Sequence, residues 1–235
     1  TRSTMAMAAD DMYEDEVDLR TPLLQLGDDV PNFSCDTTQG FVTLHDTIQG
    51  KWVMIFTMPK NLDPISVSAL AAVAKLKEEF DARNVSVYGL GVDSKMNHKV
   101  WVSDTYELQE ERVNFPIIVD DKAQISKAFG LVRPNETDFM HALVPCMLCV
   151  VIDPDLKMQY MAHYPMSTGH NYNEVLRVID SLQLTREHPV CTPANWMVGE
   201  DIFIKAEVSL NEASERFVKG FLEIRNWFRL TAVPD

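Results

Sequence analysis

Trp52-Val53-Met54-Ile55-Phe56-Thr57-Met58-Pro59-Lys60-Asn61-Leu62-Asp63-Pro64-Ile65-Ser66-Val67-Ser68-Ala69-Leu70 decides how this chain is built. From Trp52 to Phe56 the residues are continuously apolar, between Gly50 and Pro59. That is the pattern of a central strand buried on both faces. Leu70, Val73, Ala74, Leu76, Lys77 and Phe80 follow at helical spacing. They predict a helix from Ser66 to Arg83, with Ser66 or Ser68 as its cap.

The same alternation continues outward. Phe41 to Leu44 reads as a short strand closed by Gly50, and Val85 to Val92 as a longer one, after which Asp93-Ser94 can open a helix. Phe115 to Val119 is a third apolar strand, followed by a short helix ending at Gly130. Val144 to Ile152 and Met158 to His163 form a hairpin around Asp153-Pro154-Asp155. Val175, Leu176, Ile179 and Leu182 mark an amphipathic helix over 171–184. Beyond Pro189, short segments punctuated by Pro193, Gly199 and Gly220 read as a small appended unit. Strands alternating with helices imply a layered α/β domain, and the late hairpin makes its sheet mixed. A thioredoxin-like sandwich fits this order, although periodicity alone does not single it out.

With 46% hydrophobic and 24% charged residues, 235 residues can bury a sizeable core. A net charge of −14 argues against nucleic acid or an anionic membrane as partner and favours a basic protein surface. No apolar run approaches a membrane span. Cys35, Cys146, Cys149 and Cys191 make no disulfide framework and read as buried thiols of a reducing compartment. Asp10, Asp11, Glu14, Asp15, Glu16 and Asp18 make the first twenty residues acidic, unlike a transit peptide. This segment is expected to be a solvated tail that orders only against a partner. The start at Thr1 has the look of a processed terminus, which brings a plastid or other organelle into view.

Several ordered stretches resemble the peroxiredoxins of the 1-Cys type, and together they cover nearly everything after Gly27. Gly27-Asp28-Asp29-Val30-Pro31-Asn32-Phe33 looks like the family's opening. Phe115-Pro116-Ile117-Ile118 with Asp120 looks like its phenylalanine-proline strand. Tyr164-Pro165, Thr168-Gly169-His170-Asn171 and the helix running to Thr185 are similar to its last large helix, and Thr192-Pro193-Ala194-Asn195-Trp196 to the entry of its C-terminal domain. The resemblance implies a thioredoxin-like mixed sheet flanked by helices, with a small C-terminal domain. The expected divisions are an acidic extension over 1–23, a peroxiredoxin-like domain over 24–188 and a C-terminal domain over 189–235.

The opening stretch resembles the family's active-site segment, in which a strand leads into Pro-x-x-x-Thr-x-x-Cys. Pro59 is kept, Asp63 takes the threonine position and Ser66 that of the peroxidatic cysteine. By the same resemblance Met147 replaces an arginine, Met58 a histidine and Ala69 a glutamate. A thiolate is the nucleophile toward peroxide, whereas a serine hydroxyl stays protonated without a base beside it. A carboxylate at Asp63 would repel an incipient thiolate. The Gly-x-Ser-x-Gly-like segment that some members use for phospholipid hydrolysis reads Gln49-Gly50-Lys51-Trp52-Val53, with Lys51 at the serine position and His45 kept.

Other chemistry reads weakly. Ser66 near Asp63 is more simply a helix-start residue than a hydrolase fragment. Cys146-Met147-Leu148-Cys149 lies in an apolar strand, whose residues three apart face opposite sides, so the pair can neither bridge nor share a metal. His45, His98, His141, His163, His170 and His188 have no metal-ligand spacing. No cofactor is expected.

The expected function is therefore that of a catalytically silent homologue, a structural or interaction subunit pairing with itself or with a protein in a larger assembly. The alternative is a thiol peroxidase or redox sensor using Cys35 or Cys149. Ser66 is expected in the first turn of a helix, at the floor of a weakly cationic pocket with Pro59 and near Met147, out of reach of Arg133.

Overall fold

In the computed structural model, residues 24–58, 63–131 and 146–234 are described. The chain folds as β1 (Ser34–Thr37), β2 (Gly40–Thr43), α1 (Leu44–Ile48), β3 (Trp52–Met58), α2 (Pro64–Lys75), α3 (Lys77–Ala82), β4 (Val85–Gly91), α4 (Lys95–Gln109), β5 (Ile117–Val119) and α5 (Gln124–Ala128). Then come β6 (Cys146–Ile152), β7 (Met158–Pro165), α6 (Tyr172–Glu187), β8 (Val190–Cys191), β9 (Ile202–Ile204), α7 (Leu210–Arg216), β10 (Leu222–Arg225) and β11 (Phe228–Thr231).

The first seven strands form one mixed sheet in the order β2-β1-β5-β4-β3-β6-β7. β3 lies parallel to β4 and antiparallel to β6. Because strand side chains alternate, β3 feeds two cores. Trp52, Met54, Phe56 and Met58 join the layer of α2, α4 and α6, where Phe56 meets the Phe115 and Tyr172 rings edge-on, each at 5.7 Å. Val53 and Ile55 join the opposite layer with Leu44 and Ile48 of α1, Ile125 of α5 and Phe129 just after it. The fold is that expected: a thioredoxin-like α/β sandwich with a small C-terminal domain.

β8 to β11 form a separate antiparallel sheet, ordered β10-β11-β9-β8, over a core of Val190, Trp196, Ile202, Ile204, Val208, Ala213 and Phe217. Arg229 is buried there, its guanidinium donating to the Lys205 and Val208 carbonyls. α6 ties this sheet to the main body. Its Arg177 donates to the Trp196 carbonyl at 3.1 Å, and its Ser181 hydroxyl lies 2.6 Å from that of Thr192. Its Asp180 takes a two-pronged bond from Arg83 at the end of α3.

Three local expectations need correction. Leu44 begins a helix instead of ending a strand. The helix expected over 66–83 breaks at Leu76, whose N–H turns back to the Val73 carbonyl at 3.1 Å. The restarted α3 then places Phe80 in the core. The cap of α2 is neither Ser66 nor Ser68 but Asp63, whose carboxylate accepts the Ser66 N–H at 2.9 Å, with Pro64 at the first helical position.

The sheet's close approach to α4 yields a test. A Cβ on Gly91 would overlap the ring of His98, which is fully buried and bonded to the Gly91 carbonyl. A Cβ on Gly89 would press at 2.9 Å on the terminal methyl of Met58, which has torsional freedom to yield. Gly91→Ala is expected to lower unfolding free energy by about 1–3 kcal/mol, and Gly89→Ala by less than about 1 kcal/mol, in urea titrations.

Candidate functional site

The loop after β3 returns to described structure at Asp63, and α2 starts at once. The first N–H groups of a helix have no intrahelical acceptors and carry the positive end of its dipole. An anion is stabilised in such a place. Here the chain supplies the anion itself, as the Asp63 carboxylate on the Ser66 N–H. Ser66 falls in the first turn of α2 and is buried completely. Its hydroxyl Oγ has no hydrogen-bond partner. Among the described residues nothing polarises it as a nucleophile: Asp63 engages its backbone, and no histidine or lysine bonds it.

Met58, Ala69 and Met147 come together in one apolar cluster with Cys149, on the face of the sheet that α2 covers. Met147 is fully buried in β6. The positions that the family resemblance gives to charged or imidazole groups are thus filled by a continuous apolar surface. Pro59, Arg133 and His141 lie outside the described residues, as does the acidic segment over 1–23. The cleft beside α2 is lined by Asp63, Pro64 and Val67, and Ser66 is not part of its lining.

His170, singled out in the sequence only as part of a matching stretch, belongs to this neighbourhood. Its Nε2 donates to the Met147 carbonyl at 3.0 Å, and its ring lies 4.4 Å from that of Tyr164. Burial holds its pKa below the ordinary histidine value, although the carbonyl bond opposes the shift. The shift favours the neutral imidazole.

The thiols are equally muted. Burial raises Cys35, with repulsion from Asp120 and Asp36 added, to about 11. Cys149 is fully enclosed and pushed far up by burial. The C-x-x-C pair splits between faces as its strand spacing requires: Cys146 packs in the α1/α5 layer and Cys149 in the α2/α6 layer. Cys191, expected to be buried, is exposed on the short edge strand β8. The pairing missed from sequence is Cys146 with His163, Sγ to Nδ1 at 3.7 Å. It follows from the β6–β7 register, in which Leu148 faces His163 and Cys146 faces Pro165. Burial raises the Cys146 thiol and lowers His163, so both groups are held neutral.

His45 of α1 bonds the Val30 carbonyl through Nε2 at 2.8 Å, which ties α1 to the segment before β1. Among the described residues no group of three His, Cys, Asp or Glu side chains is placed to hold a metal, and no helix is long and apolar enough to cross a membrane.

Comparison with known proteins bears on the family and the fold. Residues 26–161 match the AhpC/TSA family, and residues 181–220 the C-terminal domain of 1-Cys peroxiredoxin. A 1-Cys peroxiredoxin of Dictyostelium discoideum is 37% identical over 90% of this chain and 86% of its own length. Peroxiredoxin-6 of Mus musculus is 37% identical over 84% of this chain and 90% of its own. Among solved structures, a yeast mitochondrial 1-Cys peroxiredoxin superposes with a TM-score of 0.80 at 35% identity, covering 89% of this chain and all of that one. A cysteine-to-serine mutant of the peroxiredoxin 6 of Arenicola marina also gives 0.80, at 33% identity, over 90% of this chain and 99% of its own.

Two measurements probe the site. An unpartnered buried hydroxyl costs free energy that a methyl group does not. Ser66→Ala is therefore expected to leave stability unchanged or raise it by about 1 kcal/mol in urea titration; a clear loss would mean that the hydroxyl has a partner.

The second is a pH profile. Burial depresses His98, His163 and His170 in the folded state. The unfolded chain then binds more protons than the folded one as pH falls through about 6.5, the ordinary histidine value. The contribution of these groups is fully present above that pH and is lost as pH drops through their folded values. The urea midpoint should decline from pH 7 toward pH 5, and His170→Gln should flatten part of that slope.

Proposed function

The chain belongs to the 1-Cys peroxiredoxin family, and from that premise we propose that it is a member without peroxidase chemistry, serving as a structural or interaction subunit. One observation carries the reading. The place where the family resemblance puts a reactive thiolate holds a buried, unpartnered serine hydroxyl, beneath a helix start already neutralised by Asp63. Restoring a nucleophile there would set a thiolate beside a carboxylate, with the Met147 side chain in place of a cation.

The surfaces left to such a protein suit association. β7 is an eight-residue strand at the edge of the main sheet; its start at Met158 bonds Gly27 and Asp28, and the rest of such an edge presents backbone groups for pairing. In the small sheet, the β10 edge and its turn expose Leu222, Ile224 and Trp227, with Val218 nearby in sequence. Clustered exposed apolar groups of this kind mark contact surfaces. A homodimer, or docking on a larger assembly, follows from these features together with the acidic charge.

A second reading, a thiol peroxidase or redox sensor using a relocated cysteine, draws on the Cys146–His163 contact. Burial weighs against it, because it raises the pKa of Cys35, Cys146 and Cys149 alike.

Peroxide turnover separates the two. The purified protein is expected to consume hydrogen peroxide no faster than free thiols do. Ser66→Cys alone should add little, and Ser66→Cys with Asp63→Thr and Met147→Arg should add more. Robust turnover by the unaltered chain, abolished by Cys146→Ser, Cys35→Ser or Cys149→Ser, would establish the second reading instead.

A further inference from the structure

A cleft of about 290 Å³ opens between the start of α2 and the second half of α4. Val67, Trp101 and Leu108 supply its apolar lining, and Asp63 and Asp104 its acidic groups. Leu108 is 67% exposed at its rim. Met96, Val100, Asp104 and Leu108 fall on one i, i+4 row of α4, and the three apolar members of this row are all exposed. Such rows are the ridges that pack into the grooves of a second helix. No described element covers this one.

The charge on α4 says what kind of helix would. Lysines or arginines belong near a helix C-terminus, where the dipole is negative. α4 has none in its last turn; its second half carries Asp104 and Glu107, followed by Glu110 at the cap. These three make no ion pair among the described residues. Two of the described cations after and beside it are engaged: Arg112 lies over the Tyr106 ring at 5.0 Å, and Lys75 pairs with Glu111 at 3.7 Å. An unpaired acidic helix end beside an apolar pocket is left at an electrostatic cost that a cationic neighbour would relieve.

We propose that this cleft docks a basic amphipathic helix of another protein, with one large apolar side chain in the pocket and lysines or arginines against Asp63, Asp104 and Glu107. The proposal rests on the interaction-subunit reading and names the class of partner. Helix-in-groove recognition takes this form, with an apolar anchor giving affinity and charge giving choice of partner. A second copy of the chain is a poor occupant. With a net charge of −14, a self-complementary contact through this face would bring two acidic helix ends together.

The test uses the full-length, isotope-labelled protein and a synthetic amphipathic helix of lysine and leucine as probe, with a glutamate–leucine helix as control. The basic probe should bind saturably and shift the Trp101 indole and the amides of 104–109. Leu108→Glu, and separately Asp104→Lys with Glu107→Lys, should each weaken binding at least about tenfold, equivalent to 1.4 kcal/mol. All three positions are solvent-facing or half-buried, and an unchanged core methyl spectrum verifies that the variants fold. Equal binding of the acidic helix, shifts spread over the whole surface, or indifference to Leu108→Glu would overturn the proposal. So would a self-association that Leu108→Glu abolishes. The two readings fail separately. Peroxide turnover with intact probe binding removes the interaction-subunit reading and leaves the cleft, whereas no probe binding without turnover removes only the cleft.

Discussion

The constraint on which the rest depends is that β3 is buried along its whole length, with a neighbour on each edge and a core against each face. Its hydrogen bonds run to β4 on one side and β6 on the other. Its side chains alternate between two apolar layers, so a shift of one residue would exchange the contents of both. That fixes register without help from turns. It also fixes where the strand ends, at Met58, and hence where the chain must re-enter as α2 with Asp63 and Ser66. Removing one anchor shows the scale: a fully buried phenylalanine such as Phe56 is worth about 3–5 kcal/mol against alanine, a large share of a domain's net stability.

What the sequence made legible follows from that local physics. The apolar run at β3, the stripe of α6 and the Ser94 start of α4 are properties of contiguous residues, and each is found within a few positions of its expected place. The opposite facing of Cys146 and Cys149 needed only the period of a strand. The Asp63 cap was equally local, written in Asp-Pro-Ile-Ser, but the serines drew the assignment because they too are good caps. The break at Leu76 carries no glycine or proline to announce it, and α3 restarts there with Phe80 in the core. His170 on the Met147 carbonyl and Cys146 beside His163 were beyond reach for a different reason. Each joins residues far apart in the chain through the exact pairing of β6 with β7 and the path out of it.

The electrostatics at the start of α2 set two uses of one helix terminus against each other. A helix N-terminus left open is a standing attraction for an anion, and an anionic nucleophile placed there is stabilised by it. With a carboxylate side chain in the cap, the same N–H groups contribute to holding the fold, on the order of 1 kcal/mol for a good cap. One group serves either purpose, not both at once. Apolar side chains in this sheet interior avoid the penalties of keeping charge there: Met147 and Met58 need no counter-ions, and their flexible thioethers fill irregular space.

What remains unpaid in this arrangement is small and localised. Ser66 keeps a hydroxyl where a methyl group would pack as well, and His98 Nδ1, Trp101 Nε1 and Tyr172 OH are likewise buried without partners. All four are on side chains of α2, α4 and α6, the helices covering β3; the fifth such group, Arg229 Nε, lies in the small C-terminal sheet. The opposite layer, with Cys35 and Cys146, contributes no such orphan among the described residues. Polar groups stranded on one face of an otherwise close-packed sandwich weaken that layer relative to the other. They put the softer side of the molecule under α4, the helix whose outer ridge is uncovered. A partner seated on that ridge would bind the layer with most to gain from being held in place.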